Sequence, residues 1–154
     1  MMKRSGVVAA ACSLSIGLLA PLIAAVESPA HAQSAALALC DRVAADPTDP
    51  DKPTDVRGTD TIAPTDVATA IKFCKAAAAA KAAIESRRAM YELGRAYAAN
   101  RQLPDAIGAY RKAADKASTS AMVELGVLLA NGAGVAKDET QARALFQRAA
   151  EAGN

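Results

Sequence analysis

A spacing of small and apolar residues occurs twice in the C-terminal half of this chain. Each copy has a Leu-Gly pair, an apolar residue three positions after the glycine, and then an Ala-x3-aromatic-x2-Ala segment. The copies comprise Leu93, Gly94, Tyr97, Ala106, Tyr110 and Ala113, and then Leu125, Gly126, Leu129, Ala142, Phe146 and Ala149. The two Leu-Gly pairs lie 32 residues apart, a recurrence typical of helix-turn-helix units that stack on copies of themselves. The spacing therefore predicts a helical binding scaffold.

The first 32 residues have the pattern of a secretory signal peptide. Lys3 and Arg4 form a positively charged start, residues 6–26 are apolar and nearly uncharged, and Ala30-His31-Ala32 is a small-x-small cleavage motif. We therefore expect cleavage before Gln33 and a mature protein that is periplasmic or secreted.

Two alternatives to a cleaved leader remain. An apolar stretch of about twenty residues can span a bilayer, so an uncleaved membrane anchor is one of them. Pro21 interrupts the stretch, which favours cleavage and no stable membrane insertion afterwards. A lipid anchor at Cys12 fits less well, because most of the apolar stretch follows this cysteine.

Removal of the leader changes which functions the composition allows. Lys3, Arg4 and Glu27 go with it, which reduces 18 basic and 16 acidic side chains to 16 and 15. This balance does not favour binding of nucleic acid or of an anionic membrane, since both need a concentrated basic surface. His31 is the one histidine of the chain, and without it there is no imidazole base or imidazole metal ligand. We expect no enzyme activity, cofactor or metal.

Two cysteines follow the leader, Cys40 and Cys74. An even pair in an exported chain predicts a disulfide, which would stabilise the fold by roughly 3 to 4 kcal/mol in the chain-entropy model. Reactive thiols are the alternative, but they would call for a CxxC spacing or a positive, partly exposed setting.

Each cysteine lies on the apolar stripe of a predicted helix. One helix extends from Ser34 to about Ala45, and another begins after Pro64 with Thr65 as its N-cap. The alanine-rich run 76–83 is expected to extend the second helix, because alanine has the highest helix propensity. The stripes are Leu37, Cys40 and Ala44, and then Val67, Ile71, Cys74 and Ala78.

Between these helices, residues 46–64 carry four prolines and five aspartates, which predicts a surface loop. Its acids Asp49, Asp51 and Asp55 suggest a calcium loop at first, but they lack the central glycine and the terminal glutamate of such a loop. A solvated acidic loop is expected instead.

The two repeat units differ in their turns. In the first, a helix over Ser86–Asn100 is followed by a tight turn and a second helix that Pro104 opens, which matches the tetratricopeptide pattern. The second unit has four more residues in its turn, and there Gly132 and Gly134 allow positive φ, Val135 can tuck under the turn and Asp138 can cap the next helix.

The stretch from Ala121 to Asn154 closely resembles a Sel-one-like repeat (SLR), a relative of the tetratricopeptide repeat. The preceding unit lacks the G-x-G-V turn and looks more like a plain tetratricopeptide repeat. The segment CDRVAADPTDPDKP also resembles a region ahead of such repeats in exported bacterial proteins. The matching positions are Ala121, Leu125, Gly126, Gly132, Gly134, Val135, Asp138, Ala142, Phe146, Ala149, Ala150, Gly153 and Asn154.

This resemblance implies an all-α fold, a short right-handed αα-solenoid of helix-turn-helix repeats. A helical pair with the Pro/Asp-rich loop precedes the repeats. The expected segments are a signal peptide over 1–32, the N-terminal helical segment over 33–85, a tetratricopeptide-like repeat over 86–118 and the SLR over 119–154.

The resemblance also implies an adaptor that binds a protein or peptide on the concave face formed by the first helix of each pair. Ordinary solvated positions are the alternative for these residues, and an accessory or catalytic role on cell-wall-derived ligands is the alternative for the protein. An uncapped C-terminal repeat would further allow self-association or indicate a longer array. Carried over by position, the concave face would present Arg88, Tyr91 and Arg95, and then Val123, Val127 and Asn131.

Overall fold

The computed structural model describes residues 29–79 and 83–153, which form six α-helices and no strand. The helices are α1 Pro29–Ala44, α2 Val67–Ala77, α3 Ala83–Ala99, α4 Leu103–Asp115, α5 Thr119–Asn131 and α6 Glu139–Glu151. Most of the predicted signal peptide lies outside the described residues, and the predicted cleavage position falls within the first two turns of α1. None of the described helices is long and apolar enough to cross a membrane.

The helices pack as three consecutive pairs, α1 with α2, α3 with α4, and α5 with α6. The first helices of the pairs also contact one another, α1 with α3 and α3 with α5, whereas in the described part of the chain the second helices do not. The first helices therefore form the inner layer and line the concave face. The predicted all-α solenoid is confirmed.

A shared contact explains why the pairs resemble one another. Buried alanines flank positions 74, 110 and 146 of the second helices, which lie 36 residues apart along the chain. The ring of Tyr110 packs against Gly94, and the ring of Phe146 packs against Gly126, so closely that neither glycine has room for a Cβ. Because these positions are glycines, the aromatic ring of the second helix packs directly on the backbone of the first helix. The two helices of each of these pairs can therefore lie close together.

The first pair replaces this contact with a covalent bond. Cys74 occupies the position of the aromatic ring, and it is bonded to Cys40, which follows Leu39 as the glycines follow their leucines. The Cα atoms of the two cysteines lie 4.8 Å apart, and both residues are fully buried. The pair α1–α2 is therefore a third unit of the same plan, with a long loop in place of its turn.

The turn between α5 and α6 has the conformation that its glycines predict. Gly132 and Gly134 have φ of +68° and +70°, and Gly134 also lies directly against Leu103 of the preceding pair. Val135 packs against the core. The carboxylate of Asp138 caps α6 by accepting a hydrogen bond from the backbone N–H of Gln141 at 2.8 Å.

Two predicted boundaries of α2 are wrong. The N-cap position is Asp66 and not Thr65, and its side chain makes no capping hydrogen bond. The alanine-rich run extends the helix by only two residues, because α2 ends at Ala77. Helix propensity is worth only tenths of a kcal/mol per residue, and here the hydroxyl of Ser86 on α3 donates to the carbonyl oxygen of Ala78 at 3.1 Å, which satisfies a backbone acceptor at the helix end.

The glycine-aromatic contact gives a paired test of the fold. We expect Gly94→Ala to lower the free energy of unfolding, because the new methyl group meets the buried ring of Tyr110 and overpacking of this kind costs roughly 1 to 3 kcal/mol. Gly108→Ala, on α4, meets no atom and should raise stability by about 1 kcal/mol through helix propensity. Urea unfolding of both oxidised variants measures this, and a Gly94→Ala variant as stable as Gly108→Ala would contradict the contact.

Candidate functional site

Arg88 and Tyr91 lie on the inner face of α3, and both are buried at 7% and 2% exposure. Nε and one terminal nitrogen of Arg88 each donate to the Asp41 carboxylate at 3.0 Å. The hydroxyl of Tyr91 donates to Oδ2 of Asp46 at 2.7 Å. These two side chains therefore hold the end of α1 and the start of the long loop.

Arg95, one turn further along α3, binds the backbone of the same region. One terminal nitrogen donates to the carbonyl oxygen of Ala44 at 2.7 Å. The other donates to the carbonyl oxygens of Thr59 and Asp60 at 2.7 and 2.8 Å. A single guanidinium thus joins the two ends of the loop, and residues 45–63, here called the inner loop, lie across the α3 part of the concave face.

The expectation of a solvated acidic loop is wrong for three of its aspartates. Asp49 is only 5% exposed and accepts a hydrogen bond from the hydroxyl of Ser120 on α5 at 2.9 Å. Asp51 forms an ion pair with Arg87 on α3. The carboxylates of these two residues and of Asp46 therefore bind the loop to the inner helices α3 and α5. Asp55 and Asp60 are exposed.

Burial and hydrogen bonding act in opposite directions on two of these acids. Burial by itself raises the pKa of Asp46, but the hydrogen bonds from Tyr91 and Thr48 and the charge of Arg95 outweigh it, so its pKa lies below the usual value. For Asp49 burial dominates, with further repulsion from neighbouring acids, and its pKa lies above the usual value. Asp46 is therefore the fixed negative charge of the concave face.

The six predicted partner-binding residues lie on one face, but the side chains on α3 and those on α5 differ in whether they are already bound within the chain. The side chains of Arg88, Tyr91 and Arg95 are already bound within the chain. On α5, Val123 is half-buried, Val127 is 42% exposed and Asn131 is exposed. A partner contact for these residues stays a prediction, and the accessible part of the face lies on α5.

Two adjoining cavities open between the inner loop and α5. One of about 410 Å³ is lined by Asp46, Arg95, Tyr110 and Glu124 among others. The other, of about 250 Å³, is lined by Tyr91, Ser120, Val123 and Glu124 among others and shares Asp46 with the first. We call the two together the inner cleft.

A buried glutamate lies against the disulfide. Glu92 is fully buried on α3, and its Oε2 lies 2.7 Å from Sγ of Cys40. A disulfide sulfur carries no hydrogen, so the proton in this contact has to come from the carboxyl group. Burial raises the pKa of Glu92 well above the usual value, Asp41 raises it further, and Arg88 offsets part of the shift. Burial and the neighbouring Asp41 thus favour the neutral form of Glu92, which can direct its proton towards the sulfur.

Among the described residues, Glu92 and the two cysteines also form a group whose ligand-type atoms lie within 4.8 Å of one another. Because both sulfurs are joined in the disulfide, they are not thiolates, and the thiolate is the form that binds a metal ion. The same bond and the complete burial of both residues oppose attack by an external thiol. The disulfide is therefore a structural element of the fold.

The sequence carries a signal for two residues that the motif analysis missed. Glu92 and Glu124 both precede a Leu-Gly pair directly, so the repeated element is Glu-Leu-Gly. The structure places Glu92 against the disulfide and Glu124 in the inner cleft. The repeated Glu-Leu-Gly element could have identified both glutamates from the sequence. It could not have predicted that α1 and the inner loop place them in different surroundings.

The packing of helix pairs in register, with an inner layer that lines a cleft, defines an α-solenoid repeat protein. Residues 87–100 and 119–154 match the family model of the Sel1 repeat, which together is about a third of the chain. These two segments are therefore similar to the Sel1 repeat, and such repeats generally mediate protein–protein interaction. No curated protein and no solved structure matches the sequence significantly.

The two matches differ in length in a way that the fold explains. The longer one covers α5, the glycine turn and α6 completely. The shorter one ends at residue 100, before the tight turn where Arg101 adopts a φ of +60°. The second half of the α3–α4 unit therefore departs from the repeat pattern, as its missing G-x-G-V turn predicts.

The neutral state of Glu92 predicts a pH dependence of stability. In the unfolded chain its carboxyl ionises near the reference pKa of 4.5, whereas the folded chain keeps it protonated to higher pH. Its contribution is therefore fully present below pH 4.5 and is lost as the pH rises towards the raised folded value, at up to about 1.4 kcal/mol per pH unit. Glu92→Gln should flatten the fall in unfolding free energy between pH 5 and 8.

The measurement is urea unfolding of the oxidised protein at several pH values. Asp49 and Glu124 also have raised pKa values and contribute with the same sign, so the difference between wild type and Glu92→Gln isolates Glu92. Glu151→Gln, at an exposed position of α6, is the control and should follow the wild type. Parallel pH profiles for wild type and Glu92→Gln would show that Glu92 is ionised in the folded protein.

Proposed function

We propose that this protein is a non-enzymatic interaction module, exported to the periplasm or secreted, which binds a protein or peptide through its concave face. The observation that carries the proposal is the inner cleft, a groove between a fixed loop and α5. Concave surfaces between stacked helix pairs are the binding surfaces of solenoid proteins. The accessible part of the face, on α5, is where the partner would bind.

The exposed residues of α5 extend the cleft along the helix. Val127 lies one turn beyond Val123 and is an exposed apolar side chain, and Asn131 follows one turn later. Such a row offers an apolar contact beside polar groups, which is the usual composition of a peptide-binding groove. In contrast, Arg88 and Arg95 hold the inner loop, so substituting them would test the folding of the loop and not the binding of a partner.

The buried disulfide supports the proposed location. Disulfides form and persist in oxidising compartments such as the periplasm and the extracellular space, and they are rare in the cytosol. Here the bond occupies a packing position that glycine and an aromatic ring fill in the other units. A chain kept reduced would have two small side chains at this contact and no covalent link.

Binding through α5 can be tested with one charged substitution. We expect Val127→Glu to abolish most specific capture of envelope proteins by the immobilised, oxidised protein, because the carboxylate would be buried without a partner in the complex. Ala76→Glu, on α2 and also exposed, introduces the same charge on the outer layer and should capture the same proteins as wild type. Quantitative mass spectrometry of the eluates measures both.

Equal capture by wild type and Val127→Glu would place the partner elsewhere and contradict the proposal. Turnover of cell-wall fragments by the purified protein, retained through every purification step, would contradict its non-enzymatic part. It would favour the alternative of a catalytic role on cell-wall-derived ligands.

Self-association through the last repeat is the second part of the proposal. Phe146 on α6 is 37% exposed, and a groove of about 370 Å³ between α4 and α6 includes Ala144 and Leu145 in its lining. We expect the average mass in sedimentation equilibrium to rise with protein concentration for the wild type, and Ala144→Glu to remain monomeric. A wild type that stays monomeric at high concentration would contradict self-association and leave the concave-face proposal intact.

A further inference from the structure

The larger cavity of the inner cleft is lined by a largely buried tyrosine whose hydroxyl has no partner among the described residues. Tyr110 is 2% exposed and lines this cavity. Its hydroxyl has no hydrogen bond within the described part of the chain, and its charged neighbours are Glu124, Arg95 and Asp46. The side chain is buried while its hydroxyl opens to the cavity, so this group is available to a ligand there.

Glu124 is the second group that the chain does not satisfy. It is half-buried at the wall shared by the two cavities. It forms no ion pair or hydrogen bond with another described residue, and its pKa is raised by burial and by the charge of Asp46, with a partial offset from Arg95. A neighbouring positive charge would therefore stabilise its carboxylate form.

Arg95, the cation among the described residues that line the cleft, supplies that charge only in part. The terminal nitrogens of Arg95 donate to three backbone carbonyls, and its Nε lies 3.8 Å from Oδ2 of Asp46. Asp60 adds an exposed acid at the rim of the larger cavity. With Asp46, Asp60 and Glu124 against Arg95, acceptors and negative charge exceed donors and positive charge in this cleft.

We propose that the inner cleft binds the ammonium group of a lysine side chain in a partner polypeptide, through Glu124 and the hydroxyl of Tyr110, with Asp46 adding negative charge to the wall. The proposal rests on the function proposed above and specifies the chemistry of the partner. An ammonium group has three donors and no acceptor, which suits the carboxylate of Glu124 and the hydroxyl oxygen of Tyr110 on one cavity. An acidic side chain would be repelled by Glu124 and Asp46, and an apolar one would leave Glu124 and Tyr110 unpaired.

The test is an NMR titration of the full oxidised mature chain with three peptides that differ at one residue. Their central residue, flanked by glycines, is lysine, Nε-acetyl-lysine or glutamate. We expect the lysine peptide to shift the resonances of Tyr110 and Glu124 saturably. The other two should bind at least about tenfold more weakly, since a charge-assisted hydrogen bond contributes roughly this factor or more.

Two variants and one control assign the effect to the cleft. Glu124→Gln keeps the shape of the side chain and should weaken binding of the lysine peptide about 10- to 100-fold. Tyr110→Phe should weaken it by a smaller factor, because the ammonium loses a hydrogen bond to an uncharged acceptor but keeps its ion pair with Glu124. Glu151→Gln removes the same charge from an exposed position on α6 and should bind as the wild type does. Unchanged affinity in Glu124→Gln would overturn the proposal.

The remaining outcomes separate this proposal from the function on which it rests. If the acetylated or acidic peptide binds the same residues as tightly as the lysine peptide, the cleft is a peptide site without ammonium recognition. The inference then fails while the proposed function stands. If no peptide binds in the millimolar range, the inference fails, and the capture experiment with Val127→Glu decides the proposed function independently.

Discussion

The covalent bond between Cys40 and Cys74 fixes the geometry on which the rest of the concave face depends. The other two helix pairs are held at this point by a ring against a glycine, and their helices are joined by short turns. The first pair has to close a much longer connection, and loop closure becomes entropically more expensive with length. A disulfide removes most of that cost from the folding step, because it restricts the unfolded chain as well.

With α1 held in place, the buried charges of the inner layer balance. Arg88 and Asp41 are paired at 3.0 Å, whereas the nearest oxygen of Glu92 lies 4.0 Å from Nε of Arg88. One buried cation cannot neutralise two anions, and an unpaired buried charge is far more costly than a neutral carboxyl group. Protonation of Glu92 resolves this, and the disulfide sulfur provides a place for its proton.

The helical repeats could be predicted from the sequence because their signals are local and periodic. The Leu-Gly pairs, the G-x-G-V turn and the cap at Asp138 each act within a few residues of their own position. The first unit was harder to recognise, since cysteines replace both the glycine and the aromatic ring, and only Ala70 and Ala77 keep the pattern of the second helix. Two matching positions are too few to define a repeat without the packing of α2.

The path of the inner loop could not be predicted by the same means. Its acids bind partners that are far away in the chain, as in the contacts of Asp51 with Arg87 and of Asp49 with Ser120. Composition shows that such a segment is acidic and cannot be helical, but it contains no information about which basic side chains will lie opposite. For the same reason the repeat pattern predicts the inner face for Arg88, Tyr91 and Arg95 but not the contacts that they make within the chain.

The inner loop also changes what the concave face can recognise. On an open solenoid a ligand contacts a broad, shallow surface, and a scaffold of three pairs has little of it. Here the loop covers the α3 part and forms one wall of a narrower cleft, whose backbone is fixed by the three hydrogen bonds of Arg95. A wall that is already ordered reduces the entropic cost of binding. An array of this size can therefore recognise a single side chain selectively. An uncovered face of the same size would need a large contact area with its ligand to bind it.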